Sequence, residues 1–98
     1  MIWHTVWFKL KENASAEYKE AMLAALRALP EEINEIKVLS CGYDYSGRSE
    51  GYEIGLVVTF DTREGLEIYG PHPAHKAFGD KFRPFWEDVK ALDFESPE

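Results

Sequence analysis

Between Ile2 and Leu10 the chain alternates with period two, and neither set of side chains suits water. Ile2, His4, Val6, Phe8 and Leu10 point one way, while Trp3, Thr5, Trp7 and Lys9 point the other. Such a segment is a strand. Two tryptophans on the second face are too much apolar area for a small protein to leave open, so both faces of the sheet must be covered. In a chain of 98 residues the helices can cover one face. A second subunit is expected on the other.

The remaining pattern fits that frame. Ser15 is a good N-cap, and Tyr18, Met22, Ala25, Leu26 and Leu29 recur at helical spacing until Pro30 is expected to stop the helix. Ile36 to about Tyr43 reads as a second strand. Asp44, Ser46, Gly47 and Gly51 are turn material. Tyr52, Ile54, Leu56, Val58 and Phe60 alternate with Glu53, Gly55, Val57 and Thr59 to give a third strand. Asp61 is expected to cap a second helix, with Glu64 as its capping-box partner and Leu66 and Tyr69 on one face. Val89 to Phe94 reads as a last strand, and Ser96 to Glu98 as a loose tail.

Between the second helix and that last strand lies the segment that concentrates unusual chemistry, Tyr69 to Trp86. Pro71 and Pro73 force Gly70 and His72 out of the helical region, so the helix ending near Tyr69 cannot run on. Pro73 suits the first position of a new helix, His72 its cap, and His75 its first turn. There the positive end of the peptide dipoles favours neutral imidazole, the form that accepts a proton. Phe78 and Phe82 are spaced to face the core, and Pro84 breaks the helix. The order β, α, β, β, α, β, with right-handed crossovers, gives an α+β fold of the ferredoxin-like kind: a four-stranded antiparallel sheet with helices on one face. Two open faces packed about a twofold axis would make a dimeric α/β barrel.

Composition narrows the function. A net charge of −7 and the lack of any basic run argue against nucleic acid and anionic membranes as partners. Cys41 is the only cysteine, so no internal disulfide or Cys-rich zinc site can form, which fits a reducing cytoplasm. No stretch is long and apolar enough to span a membrane, and no linker or repeat divides residues 1–98 into more than one domain. A three-histidine metal site from His4, His72 and His75 is one further arrangement to test.

These residues resemble the stress-responsive dimeric α/β-barrel (Dabb) family. The resemblance rests on His4 and Lys9 in the first strand, Gly51-Tyr52 before the third, Tyr69, His72-Pro73-Ala74-His75, Phe78, and Asp93-Phe94. The His-Pro-x-His run with a tyrosine three residues before it is its specific part. Within the family the chain is most similar to polyketide cyclases, although Gly70-Pro71, Leu23 and Leu26 depart from them. The resemblance implies a homodimer, no cofactor, His75 as general base and Tyr69 as the donor to a developing oxyanion. It also implies a small hydrophobic carbonyl or polyketide-like ligand, bound near His4 between walls supplied by Leu56, Val58, Phe78, Phe82, Trp86 and Val89. Two rival expectations stand beside it: a non-enzymatic stress-related or oligomerisation protein with a vestigial pocket, and a cofactor-free oxygenase of a related barrel.

Overall fold

The computed structural model describes residues 1–97. Its strands are β1 (Ile2–Leu10), β2 (Val38–Tyr43), β3 (Ile54–Phe60) and β4 (Trp86–Glu95). Its helices are α1 (Ala16–Glu32), α2 (Arg63–Tyr69) and α3 (Pro73–Phe82), with one 3₁₀ turn at Arg83–Phe85. The sheet is antiparallel with order β2-β3-β1-β4, so β1 and β3 are central while β2 and β4 are edges. This is the expected ferredoxin-like arrangement.

Cross-strand partners share a face, so the registers divide the side chains between the two sides of the sheet. Ile2, His4, Val6 and Phe8 stand opposite Phe60, Val58, Leu56 and Ile54 on the helix side. Met22, Leu23, Leu26 and Leu29 of α1 pack on them, as do Phe78 and Phe82 of α3. On the other side Trp7 is 52% exposed and Leu92 64%, while Trp3 stacks on Phe94 with ring centroids 6.0 Å apart. The open face is therefore as apolar as the alternation of β1 requires.

Several boundaries differ from expectation, each for a physical reason. Pro30 does not stop α1, which continues to Glu32. A proline removes one i→i−4 bond, and here buried Leu29 and Ile33 hold the turn on either side, with the Ile33 N–H bonded to the Leu29 carbonyl. Thr62, not Asp61, caps α2, its hydroxyl accepting from the Gly65 N–H at 3.3 Å. Asp61 instead pairs with Lys37 at 3.4 Å. Strands β2 and β3 begin two residues later than their patterns indicated, at Val38 and Ile54.

Strand β4 begins three residues earlier than its pattern indicated, at Trp86. Leu10 pairs with Trp86 and Lys9 with Asp88, leaving Glu87 as the extra residue of a bulge. The bulge turns Trp86 onto the helix side, where it lies 4.8 Å from Phe8 and 5.8 Å from Phe78, ring centroid to centroid. Strict alternation cannot run through such a point. Ser96 is not loose, since its N–H bonds to the Met1 carbonyl and its carbonyl receives the Met1 amino group. Glu98 lies outside the described residues.

Candidate functional site

The segment joining α2 to α3 follows its prolines only in part: His72 leaves the helical region before Pro73, but Gly70 stays in it before Pro71, at φ −53° and ψ −55°, since a residue without a Cβ clashes less with the proline ring. The Gly70 N–H still bonds to Leu66 as the C-cap of α2, and α3 then starts at Pro73. His72 is its N-cap, and Nδ1 accepts from the Ala74 N–H at 3.0 Å. An imidazole that accepts at Nδ1 carries no proton there. His72 is thereby committed to the cap.

His75, one residue beyond Ala74, has its Nδ1 2.9 Å from the Gly70 carbonyl. A carbonyl only accepts, so Nδ1 carries the proton and, in the neutral ring, Nε2 keeps its lone pair. Partial burial holds the His75 pKa below the usual histidine value; the bond to Gly70 opposes this, and the charges of His4, Arg83 and His72 add to it. The ring is thus oriented, neutral and basic at one nitrogen.

Tyr69, the last residue of α2, is 1% exposed, and its ring lies 4.4 Å from that of His75. Phe60 and His4 pack edge-on to the same ring at 5.3 and 5.6 Å. Its hydroxyl is buried with no hydrogen-bond partner, and desolvation raises its pKa to about 12. Buried hydroxyls nearly always have partners, so this one is an exception that calls for a role. It stays protonated as a donor.

His4 completes the cluster from β1. Its Nδ1 lies 2.5 Å from Asp93 Oδ1, and Asp93 stands opposite it in the β1–β4 register. The carboxylate accepts at Nδ1 and fixes the ring, leaving Nε2 available. Asp93 and Phe60 are the two members of the cluster that the sequence had not been read to supply. The signal for Asp93 was present: a carboxylate four residues after Val89 in the last strand shares its face and meets the strand that carries His4.

The expected wall residues divide into two groups. Leu56 and Val58 are buried in β3, and Phe78, Phe82 and Trp86 pack on one another and on Phe8, closing the space beneath α3. Val89 is 39% exposed, and with Ala91 and Asp93 it forms the helix-side face of β4, which the helices leave bare. One end of this bare face is Asp93, paired with His4 of the polar cluster. At the other end a concavity of about 390 Å³ is bordered by Arg83, Trp86, Glu87, Asp88 and Val89. The larger concavity, about 1000 Å³, belongs to the open sheet face around Trp7, Ser40, Gly55 and Val57 and contains neither Tyr69 nor His75. The three histidines do not converge: among the described residues no three His, Cys, Asp or Glu side chains are grouped to hold a metal. Nor, among them, is any helix long and apolar enough to cross a membrane.

The architecture is that of a ferredoxin-like α+β domain whose sheet is open on one face and whose polar cluster lies on the other. The chain belongs to the Dabb family, the stress responsive A/B barrel domain, which it matches over residues 2–96. It is 32% identical over 93 residues to olivetolic acid cyclase from Cannabis sativa, a match spanning 93% of this chain and 92% of that one. Among solved structures it superposes on an Arabidopsis thaliana protein with a TM-score of 0.90 at 25% identity, covering 100% of this chain and 97% of the other. A dimeric protein of unknown function and ferredoxin-like fold from Bacteroides fragilis gives 0.84 at 28% identity, covering 97% and 95%.

Proposed function

We propose that this protein is a homodimeric, cofactor-independent catalyst of carbon–carbon bond formation within a small hydrophobic carbonyl compound, with His75 as base and Tyr69 as oxyanion donor. The observation that carries the proposal is the buried, unpartnered Tyr69 hydroxyl beside an imidazole whose Nδ1 is tied to Gly70. Nε2 of His75 takes a proton from the carbon α to a carbonyl, and the enolate oxygen accepts a hydrogen bond from Tyr69. The enolate carbon then attacks a second carbonyl of the same molecule, forming one C–C bond. The resulting alkoxide takes the proton back from His75. No electrons or groups enter or leave.

The kinship with a plant cyclase supports this chemistry, and the dimeric Bacteroides relative supports a second copy on the face around Trp7 and Leu92. The packing of Phe78, Phe82 and Trp86 favours the rival, a non-enzymatic family member whose pocket has closed. One experiment decides between them. A linear methyl δ-diketone, whose aldol addition closes it to a hydroxy-methylcyclohexanone, is incubated with wild type, His75→Ala and Tyr69→Phe, with folding checked by circular dichroism. Ring closure above background in wild type and its loss in both variants is the expected result. Equal background rates in all three would leave the non-enzymatic reading.

A further inference from the structure

His75 and Gly79 of α3 and Arg83, its C-cap, are spaced four residues apart, and the Arg83 N–H still bonds to the Gly79 carbonyl, so the three form one row. The middle member is bare. A Cβ built on Gly79 would come within 2.6 Å of Arg83 Nη2, so the guanidinium lies back along the helix, over the backbone of Gly79 and toward His75. Long helical side chains lean toward the N-terminus, which makes this direction an easy one. A glycine inside a helix costs about 1 kcal/mol relative to alanine. Here that cost leaves room for a cation.

The other contacts of Arg83 position it without using it up. Its Cζ lies 5.6 Å from the Trp86 ring, and the same two residues border the concavity beside Val89. Among the described residues its ion pair is with Asp80 at 3.6 Å, between side chains that are 64% and 82% exposed. A pair that long and exposed contributes little. The guanidinium fork therefore keeps N–H donors for a planar, two-oxygen partner. Of the two carboxylates that border the same concavity, Glu87 and Asp88, Asp88 accepts the Tyr52 hydroxyl. The positive charge of Arg83 also reaches His75, whose protonation it disfavours.

We infer that the row His75–Gly79–Arg83 is a two-point recognition edge for a keto acid: Arg83 holds the carboxylate while the carbonyl lies at Tyr69 and His75. Val89 and Ala91 form the apolar floor between them. The guanidinium over Gly79 is one helical turn from His75, roughly 5 to 6 Å along the axis, which sets carboxylate and carbonyl about four bonds apart. The preferred ligand is a free acid, not its ester or amide. This rests on the reading of Tyr69 and His75 only for where the carbonyl lies.

The test uses benzoylbutyrate, whose ketone is four bonds from its carboxylate, and its neutral methyl ester. Both are titrated into the dimeric protein by NMR and by isothermal calorimetry. Wild type is expected to bind the acid at least tenfold more tightly than the ester. Arg83→Gln, a change at an exposed side chain, should abolish that preference by weakening the acid alone. Gly79→Ala should do the same with the charge retained, because the new methyl displaces the guanidinium. Equal binding of acid and ester by wild type, a preference that survives Arg83→Gln, or no binding of the acid at millimolar concentration would overturn the inference. Deuterium exchange at the α-carbon of the bound acid is read in the same samples. Preference without exchange would refute the catalytic roles of His75 and Tyr69 while leaving Arg83 as the anchor, and exchange without preference would do the reverse.

Discussion

Replacing Tyr69 by phenylalanine should make the protein more stable while abolishing the proposed turnover. The ring would keep its neighbours Phe60, His4 and His75, since none of these contacts involves the hydroxyl. What disappears is one buried oxygen without a hydrogen-bond partner. An unsatisfied buried polar group costs about 1–3 kcal/mol, so Tyr69→Phe should gain about that much. In a chain of 98 residues each kcal/mol moves the melting temperature by about 4–8 °C, so even the low end is measurable. Tyr18→Phe is the matched control, because the Tyr18 hydroxyl donates to the Phe82 carbonyl. That variant should lose about 0.5–1.5 kcal/mol. Urea and thermal unfolding at pH 7 and fixed protein concentration provide the comparison, the concentration mattering because a dimer's stability depends on it. If Tyr69→Phe is destabilised as much as Tyr18→Phe, the Tyr69 hydroxyl has a partner in the folded protein. The argument that it waits for a ligand oxygen would then fail.

Other expectations follow from single contacts. Because the His75 pKa is held below its ordinary value, the unfolded chain takes up the proton first as pH falls. The stability His75 contributes is present above about pH 6.5 and is lost as pH falls from there through the lower folded value, and an NMR titration of His75 should show the depressed midpoint. His72→Ala should cost about 1 kcal/mol in urea unfolding through loss of the cap, while His72→Asn, which caps without titrating, should retain most of it. Leu92→Lys on the open face should convert the proposed dimer to monomer in sedimentation equilibrium, since it places a charge where apolar surface must be desolvated. A dimer of unchanged affinity would place the second copy elsewhere.

The fold was legible because each element carries one period and one terminator. Alternation in β1 and β3 survives from sequence to structure almost residue for residue, and the prolines around His72 place the start of α3. Errors arose where tertiary packing overrides a local rule. Pro30 is tolerated because Leu29 and Ile33 are anchored in the core, and Trp86 joins β4 only because a bulge rotates it. Within the site, His75 and Tyr69 meet because they flank one tight connection. Asp93 meets His4 across a sequence separation of 89, and although alternation gives the face of Asp93, it does not report the register that sets it opposite His4. Arg83 is a third kind of case. Its spacing from His75 was visible, but the meaning of Gly79 between them is steric and needs coordinates.

The two faces of the sheet are not independent, because strand alternation interleaves them. In β1, His4 lies between Trp3 and Thr5; in β4, Asp93 lies between Leu92 and Phe94. β4 is an edge strand whose one neighbour is β1, and Trp3–Phe94 stacking and the Thr5 hydroxyl bond to the Leu92 carbonyl fasten the two from the open side. A slip of β4 by one residue would turn its side chains to the opposite faces, carrying Asp93 away from His4 and Leu92 or Phe94 toward the polar cluster. Covering the open face with a second copy therefore does more than desolvate Trp7 and Leu92. It favours the one register in which the Asp93 carboxylate can orient His4 beneath Tyr69. The apolar excess of β1, which first demanded a partner, is thus part of what holds the polar cluster in place.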